Sequence, residues 1–345
     1  MALNILLIAG GDSSEHEISL ISSQYLMQEL SVNPEFNILS VVLHEGKFQF
    51  ADGGYGYFTS GRHFAQVSPD GSTSDVEIDC VVPCLHGFPG ETGDIQSMLE
   101  LQGVPYIGCK AEASRICFNK VTTKFYFDAL KIENTPSIFV SDSTESSLKS
   151  VHEAFAQFGH DVYVKAASQG SSIGCYHITD ESKLDQAIQD ALQLSDLVLV
   201  EKTIEHRELE VAAFEYKGRL VITEPGEIVI PSDKFYTYDE KYSKDSGTTT
   251  TVEVEGLSPV QREMIKSMAT RAFIGLKLRH LSRIDFFLAS DGTVLLNEIN
   301  TFPGMTPISM FPKLMKHMGI AMSDFLTEAI GSAIAEQPRK LTAPR

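Results

Sequence analysis

The N-terminal third of the chain alternates between the hydrophobic spacing of a strand and that of a helix. An apolar run at residues 4–9 predicts a buried strand, Gly10 and Gly11 predict a tight turn, and residues 13–30 carry apolar side chains at helical spacing. Further strands are predicted at residues 38–43, 80–85 and 105–107, and a further helix at residues 94–101. Strands that alternate with helices are typical of a parallel sheet, so residues 1–115 are predicted to form one small parallel α/β domain.

Downstream, the pattern changes to mixed strands and helices that fit two α+β units, residues 116–205 and 206–345. In chain order the predicted elements are a helix at 114–130, strands at 162–165, 173–178 and 197–201 around a helix at 183–192, paired strands at 208–215 and 220–223, a helix at 259–276, strands at 282–288 and 294–300, and two C-terminal helices. The polar stretch 232–251, rich in Gly and Thr, is long for a loop inside a compact protein. Loops of that length are commonly lids or disordered segments, and we predict a lid here.

Composition and charge exclude several classes of protein. No apolar run approaches the roughly 18 residues that a membrane span needs, and no charged leader precedes the first strand. The formal charge of −18, without a Lys/Arg-rich stretch, opposes binding to nucleic acid. The five cysteines are odd in number and form no CxxC pair, which favours reduced thiols. We therefore expect a soluble cytoplasmic protein that binds neither nucleic acid nor a membrane.

Polar side chains follow two neighbouring predicted strands near the C-terminal end. Alternation along a strand places Arg283 and Asp285 on one face, and Glu298 and Asn300 on one face of the next strand. If the two faces coincide, three oxygen ligands, Asp285, Glu298 and Asn300, surround a space for phosphate oxygens and water, as Mg²⁺ requires. A solvated sheet face would show the same pattern, and that alternative stays open at this point.

Two small-residue segments could present backbone N–H groups to anions. Lys165 ends a predicted strand and is followed by a loop of small residues up to Gly174, which suits phosphates. The turn at residues 301–307 contains Gly304, whose N–H could meet an oxyanion, although a bare turn explains it equally well. Neither GxxxxGK[ST] nor GxGxxG occurs in the chain. A nucleotide would therefore be bound by other means than an ordinary P-loop or dinucleotide fold.

Six motifs, taken together, resemble the D-alanine–D-alanine ligase family of the ATP-grasp fold. They are residues 10–19, 86–93, 165–174, 235–242, 283–285 and 297–306. They occur in the order of the family and extend over nearly the whole chain. The metal set of Asp285, Glu298 and Asn300 and the lysine pair of Lys120 and Lys165 are general to ATP-grasp enzymes. The resemblance implies an α/β ATP-grasp fold, in which an N-terminal Rossmann-like parallel α/β domain is followed by two α+β subdomains that clamp ATP.

The resemblance also implies roles for residues on the amino-acid side of the site. Glu15 would receive the ammonium group of the first D-alanine, His86 would lie close to the same substrate, and Ser309 would take the carboxylate of the second D-alanine. Arg283 and the N–H of Gly304 would stabilise the tetrahedral intermediate. Two further catalytic residues would form a hydrogen-bonded chain with Glu15, namely Ser171 and Tyr242.

On the nucleotide side, the family pattern falls on a second set of residues. Lys120 and Lys165 would meet the ATP phosphates, and Lys241 would reach the γ-phosphate from the lid. Ser171 would also belong to the ATP-binding residues. The adenine and ribose would be bound by Glu201, Lys202, Ile204 and Glu208. Two Mg²⁺ ions, with Mn²⁺ able to substitute, would be held by Asp285, Glu298 and Asn300.

The implied reaction is ATP-dependent joining of two D-alanines through a D-alanyl phosphate, for peptidoglycan precursor synthesis, in an enzyme that we expect to be a homodimer. Two alternatives remain. A related ligase would use D-lactate or D-serine as the second substrate. A catalytically silent nucleotide- or amino-acid-binding regulator would be expected to have lost part of the metal set, yet Asp285, Glu298, Asn300 and Arg283 are all present.

Overall fold

The computed structural model describes residues 2–229 and 249–336. Within these ranges the chain forms three β-sheets, and no helix is long and apolar enough to cross a lipid bilayer. Two predicted site residues, Lys241 and Tyr242, lie outside the described residues.

The N-terminal sheet combines parallel and antiparallel strands. Its strands are β1 (Leu3–Gly10), β2 (Phe36–His44), β3 (Lys47–Gln49), β4 (Tyr55–Ser60), β5 (His63–Val67), β6 (Thr73–Glu77) and β7 (Cys80–Pro83). The spatial order is β6-β5-β4-β3-β2-β1-β7. Strands β1, β2 and β7 pair in parallel as predicted, but β3 to β6 add an antiparallel meander to the edge beyond β2. The predicted strand at 105–107 is reduced to one parallel bridge between Val81 and Tyr106.

One helix follows β1 in the chain, and three further helices connect this sheet to the next. They are α1 (His16–Leu30), α2 (Asp94–Gln102), α3 (Ala111–Phe118) and α4 (Lys120–Ala129). The single helix predicted at 114–130 is wrong, because Asn119 has an extended backbone (φ −92°, ψ 105°) that separates α3 from α4. The side chain of Asn119 accepts a hydrogen bond from the N–H of Thr122 at 3.0 Å and so caps the second helix.

The middle sheet is antiparallel throughout. Its strands are β8 (Ser137–Val140), β9 (Val162–Ala166), β10 (Cys175–Ile178) and β11 (Val198–Lys202), in the order β10-β9-β11-β8. Helices α5 (Glu145–Gln157) and α6 (Leu184–Leu192) share a hydrophobic cluster with the sheet. In β9, Val162, Val164 and Ala166 are buried in that cluster, so Lys165 between them points to the opposite face.

The third sheet carries the C-terminal helices. Its strands are β12 (His206–Tyr216), β13 (Arg219–Ile222), β14 (Gly226–Val229), β15 (Thr249–Thr251), β16 (Leu281–Ala289) and β17 (Val294–Asn300), and the helices are α7 (Pro259–Gly275), α8 (Met310–His317) and α9 (Met322–Ala335). The spatial order is β15-β14-β12-β16-β17, with β13 paired to β12. Residues 232–248 of the predicted lid loop 232–251 lie outside the described residues. Its end is wrong, because the β-branched residues Thr249–Thr251 extend the sheet beside β14.

The two faces of strand β12 lie in different environments. Leu209, Val211 and Ala213 pack into one hydrophobic core together with α7. On the opposite face, Phe214 belongs to a second core that also contains residues of β1, α8 and α9. Glu210 lies on this second face but lines a cavity instead. The third sheet is thus anchored to the N-terminal sheet while part of its surface stays open for polar groups.

Candidate active site

A cavity of about 850 Å³ is lined by residues from the N-terminal, middle and C-terminal parts of the chain. Every predicted site residue within the described part of the chain lines it: Glu15, His86, Lys120, Lys165, Ser171, Glu201, Lys202, Ile204, Glu208, Arg283, Asp285, Glu298, Asn300, Gly304 and Ser309. The structure therefore brings together side chains that are far apart in sequence. A cavity of this size is within the range of small-molecule and cofactor sites.

Strands β16 and β17 place the predicted metal set side by side. Asp285 pairs with Glu298 across the two strands, and Arg283 pairs with Asn300. The register shifts after Asp285, because Phe286 pairs with Leu296 and leaves Asn297 as an extra residue on β17.

This β-bulge determines which side chains of β17 face the cavity. Before it, Val294 and Leu296 are buried in the core beneath the sheet, and after it Ile299 is buried there. The extra residue shifts the alternation by one, so that Glu298 and Asn300 face the cavity. Without the bulge, a strand with Leu296 in the core would also turn Glu298 into the core.

Arg283 is held among carboxylates. It donates through Nε and Nη2 to the two oxygens of Asp285, at 2.7 Å each, and Nε lies 3.3 Å from Oε2 of Glu210. Burial alone would lower the pKa of Arg283, but Asp285 and Glu210 outweigh burial and raise it well above its usual value. The guanidinium therefore stays charged, as stabilisation of an oxyanion requires.

The donor set of this corner fits a hard cation. Asp285 also accepts a hydrogen bond from Nδ2 of Asn300 at 3.0 Å, and Glu298 Oε2 lies 3.6 Å from Nζ of Lys120. The set contains only two carboxylates, and in residues 2–229 and 249–336 no three His, Cys, Asp or Glu side chains are grouped so that they could hold a metal ion. Two carboxylates and one amide, all facing the cavity, leave coordination positions for phosphate oxygens and water, which is the usual environment of Mg²⁺.

The small-residue loop after β9 lies against the start of α4. The N–H of Lys120 donates to the carbonyl of Ala167 at 2.9 Å, and its Nζ donates to the carbonyl of Gln169 at 2.7 Å. Ser171 and Ser172 both have left-handed backbones, with φ of 50° and 61°. Such conformations are unfavourable for residues with side chains and concentrate at functional sites.

Lys165 and Lys124 share the carboxylate of Glu201, a residue of β11 that is only 3% exposed. Lys165 Nζ donates to Oε2 at 2.5 Å, and Lys124 Nζ lies 2.7 Å from Oε1. Burial would raise the pKa of Glu201, but the two ammonium groups lower it to about 2. Lys202 at the end of β11, Ile204 in the link to β12 and Glu208 on β12 continue the same cavity wall.

The opposite end of the cavity contains Glu15, which directly precedes α1. Ser171 Oγ donates to Glu15 Oε1 at 2.6 Å, so two members of the predicted hydrogen-bonded chain are in contact. His86 lies 3.2 Å through Nδ1 from the carbonyl of Phe302 and 3.0 Å through Nε2 from Oγ of Ser22. A carbonyl only accepts, so Nδ1 carries the proton. Burial lowers the pKa of His86, which keeps the ring neutral.

Ser309 and Gly304 lie together before α8. A Cβ on Gly304 would come within 3.1 Å of Ser309 Oγ, so the lack of a side chain on Gly304 keeps the space beside this hydroxyl open. Ser309 Oγ is 2.7 Å from Oγ1 of Thr306 and accepts a hydrogen bond from the N–H of Thr306 at 3.2 Å. The hydroxyl of Ser309 is thereby held at the cavity wall.

Several polar residues of the site were missed by sequence reasoning. Lys124 follows Lys120 by four residues on α4, a spacing that indicates one helix face. Glu210 follows Glu208 by two residues on β12, a spacing that indicates one strand face. Glu91 lies within the motif 86–93 and lines the cavity, where burial and the charge of Glu15 raise its pKa to about 8. The signals for all three were therefore present in the sequence.

The chain is similar in sequence and in structure to proteins of one enzyme family. The family models described as D-ala D-ala ligase N-terminus and C-terminus match residues 4–109 and 128–331. A D-alanine–D-alanine ligase of Tolumonas auensis is 52% identical over 96% of this chain and 99% of its own, and one of Vibrio cholerae is 49% identical over 96% and 97%. The crystal structure of D-alanyl-alanine synthetase A from Vibrio cholerae covers 97% of this chain and 99% of its own, at 48% identity and a TM-score of 0.91, which confirms the predicted fold class. The chain therefore belongs to the D-alanine–D-alanine ligase family.

Proposed function

We propose that the chain joins two D-alanine molecules to D-alanyl-D-alanine, with ATP converted to ADP and phosphate, in the synthesis of peptidoglycan precursors. The observation that carries the proposal is the single cavity in which Glu15, the lysines Lys120 and Lys165, and the Asp285–Glu298 pair all meet. Together these groups can receive an ammonium group, phosphates and a divalent cation. Membership of the family supports the same reaction.

The first step activates a carboxylate, which is a poor acyl donor. Glu15 binds the ammonium group of the first D-alanine and thereby directs its carboxylate toward the phosphates of ATP. Lys120 and Lys165 bind those phosphates and reduce the repulsion between the anionic substrates. Attack of the carboxylate on the γ-phosphorus forms the C–O–P linkage of D-alanyl phosphate and releases ADP.

The second step joins the two amino acids. Ser309 binds the carboxylate of the second D-alanine, whose neutral amine attacks the acyl carbon, expels phosphate and releases one proton as the amide forms. Arg283 and the N–H of Gly304 stabilise the negative charge that develops on the carbonyl oxygen. The predicted contributions of Lys241 to the γ-phosphate and of Tyr242 to the chain with Ser171 remain predictions, because both residues lie outside the described ranges.

Asp285, Glu298 and Asn300 would hold two Mg²⁺ ions, with Mn²⁺ as a substitute. When bound, these ions supply charge neutralisation at the phosphates. A reaction that consumes ATP for wall precursors belongs in the cytoplasm, where we place the protein. Its assembly as a homodimer stays a prediction, which sedimentation velocity can check from the mass of the particle.

The decisive experiment measures ADP release in the presence of ATP and Mg²⁺ with D-alanine, with L-alanine, and with D-alanine plus D-lactate or D-serine. We expect turnover with D-alanine alone and little with L-alanine, and mass spectrometry should identify the dipeptide as the product. A mixed product that dominates in the presence of D-lactate or D-serine would instead establish one of the related ligases. No ADP release with any amino acid would favour the silent regulator.

A further inference from the structure

Lys124 carries an ammonium group that lies close to the cavity but outside its lining. Its side chain is only 9% exposed, and it does not line the cavity. Three acceptors surround Nζ: Glu201 Oε1 at 2.7 Å, Asn134 Oδ1 at 3.0 Å and the carbonyl of Thr135 at 2.8 Å. An ammonium group has three N–H donors, so Lys124 is fully engaged and fixed in place.

Lys165, the other partner of Glu201, is in a different situation. Its side chain is 15% exposed and lines the cavity. Glu201 Oε2, at 2.5 Å, is the hydrogen-bond acceptor that the structure shows for its Nζ among the described residues. Lys165 can therefore turn toward a ligand in the cavity, whereas Lys124 cannot. Glu201 thus has one fixed and one exchangeable counter-ion.

We propose that Lys124 is a positioning residue that keeps Glu201 paired while Lys165 exchanges Glu201 for the phosphates of the nucleotide. This inference rests on the proposed function, because it takes Lys165 as a phosphate ligand. Lys124 acts through Glu201 and does not touch the nucleotide.

The physical reason is the cost of an unpaired buried charge. Removal of one partner from a buried ion pair is strongly destabilising, because the remaining charge has lost its hydration without compensation. If Lys165 were the sole counter-ion of Glu201, each movement of Lys165 toward a phosphate would weaken the pairing of a carboxylate that is almost fully buried. With Lys124 in place, the charge of Glu201 stays neutralised throughout the exchange. The second lysine thus makes Lys165 available to the nucleotide.

The test compares two ligands by titration calorimetry, which suits a chain without Trp. MgATP requires Lys165 to change partner, whereas adenosine has no phosphates and does not. We expect Lys124→Met to weaken MgATP binding by about tenfold or more beyond any weakening of adenosine binding, because adenosine can meet Glu201, a predicted adenine and ribose ligand, but leaves Lys165 paired. Lys124→Arg, which keeps the charge, should bind MgATP within about threefold of the wild type. The KM for ATP should rise in Lys124→Met more than kcat falls.

A second pair of variants tests whether Lys124 acts through Glu201. In the Glu201→Gln background no buried carboxylate needs a counter-ion, so the further change Lys124→Met should alter MgATP and adenosine binding by the same factor. This comparison also serves if Lys124→Met alone fails to fold, because the double variant removes both buried charges. Equal weakening of the two ligands in Lys124→Met, or a MgATP-specific loss in the double variant, would overturn the inference. A wild type that binds no MgATP would instead overturn the proposed function.

Discussion

Charged side chains in the cavity are neutralised by one another across short distances. Arg283 covers both oxygens of Asp285, Lys120 approaches Glu298, and Lys165 donates to Glu201. In each pair, a carboxylate of the cavity wall neutralises a cation that we propose binds a substrate oxygen. Substrates and metal ions would therefore bind by exchange of partners, which costs less than the removal of a single buried charge from its partner.

Glu298 offers the sharpest test at the scale of one residue. Glu298→Gln keeps the volume of the side chain but removes the charge from the proposed metal set. We expect kcat to fall by at least about 100-fold while the melting temperature stays close to that of the wild type, because the side chain is partly exposed on the cavity wall. Steady-state ADP release and thermal melting measure the two quantities. Turnover within a few-fold of the wild type would remove Glu298 from the metal set.

Ser171 provides a second test of a single side chain. Its hydroxyl donates to Glu15 at 2.6 Å, and a hydrogen bond to a charged group contributes about 1.5–3 kcal/mol. Ser171→Ala should therefore lower kcat/KM for D-alanine by about tenfold or more, with the melting temperature unchanged within a few degrees. An unchanged kcat/KM for D-alanine would show that Glu15 recognises the substrate without this hydroxyl.

At the scale of elements, periodicity predicted most strands and helices but not the interruptions within them. The break at Asn119 divides one apolar helical pattern into two helices, and the bulge at Asn297 reverses the alternation of β17. The meander at residues 47–77 consists of short strands with many exposed side chains, so its sequence carries little hydrophobic signal. Such features depend on capping and on pairing with distant strands, which local spacing does not encode.

Asn119 links an element boundary to the site. Its Oδ1 caps α4 through the N–H of Thr122, and its Nδ2 donates to Ser168 Oγ at 3.1 Å in the small-residue loop after β9. Asn119→Ala should cost about 1 kcal/mol of unfolding free energy and raise the KM for ATP, because Lys120 directly follows the cap. Asn119→Asp keeps the capping acceptor but not the donor to Ser168, and so should recover the stability. Equal stability of the two variants would argue against the cap.

At the scale of the whole molecule, the site depends on contacts between distant parts of the sequence. Ser171 contacts Glu15 across 156 positions, and His86 approaches Phe302 across 216 positions. The family resemblance predicted fifteen residues that line the cavity but missed Glu91 and Glu210, and single-sequence reasoning could not determine which charges pair within it. The double pairing of Glu201 arises only when α4, β9 and β11 pack together.

His280 joins the N-terminal part of the chain to the third sheet. It precedes β16, is 1% exposed, and accepts a hydrogen bond through Nδ1 from the N–H of Gly108 at 3.0 Å. Burial, with smaller contributions from Arg279 and Lys110, lowers its pKa to about 3. In the unfolded chain the pKa of this residue is about 6.5, so the unfolded chain binds a proton that the folded chain does not bind. The contribution of His280 to the free energy of unfolding is therefore fully present above about pH 6.5, and it is lost as the pH falls from there toward the pKa of the folded state.

Between pH 7 and pH 5 this linkage should cost the wild type about 2 kcal/mol of unfolding free energy. His280→Asn removes the titrating group, and the amide oxygen of asparagine can still accept from Gly108. Asparagine also tolerates the left-handed backbone of this position, where φ is 59°. Urea denaturation of both proteins at pH 7, 6 and 5 measures the difference. The variant should lose about 2 kcal/mol less than the wild type over this interval, because its buried side chain has no proton to gain. Parallel losses in the two proteins would show that other groups govern the acid sensitivity of this junction.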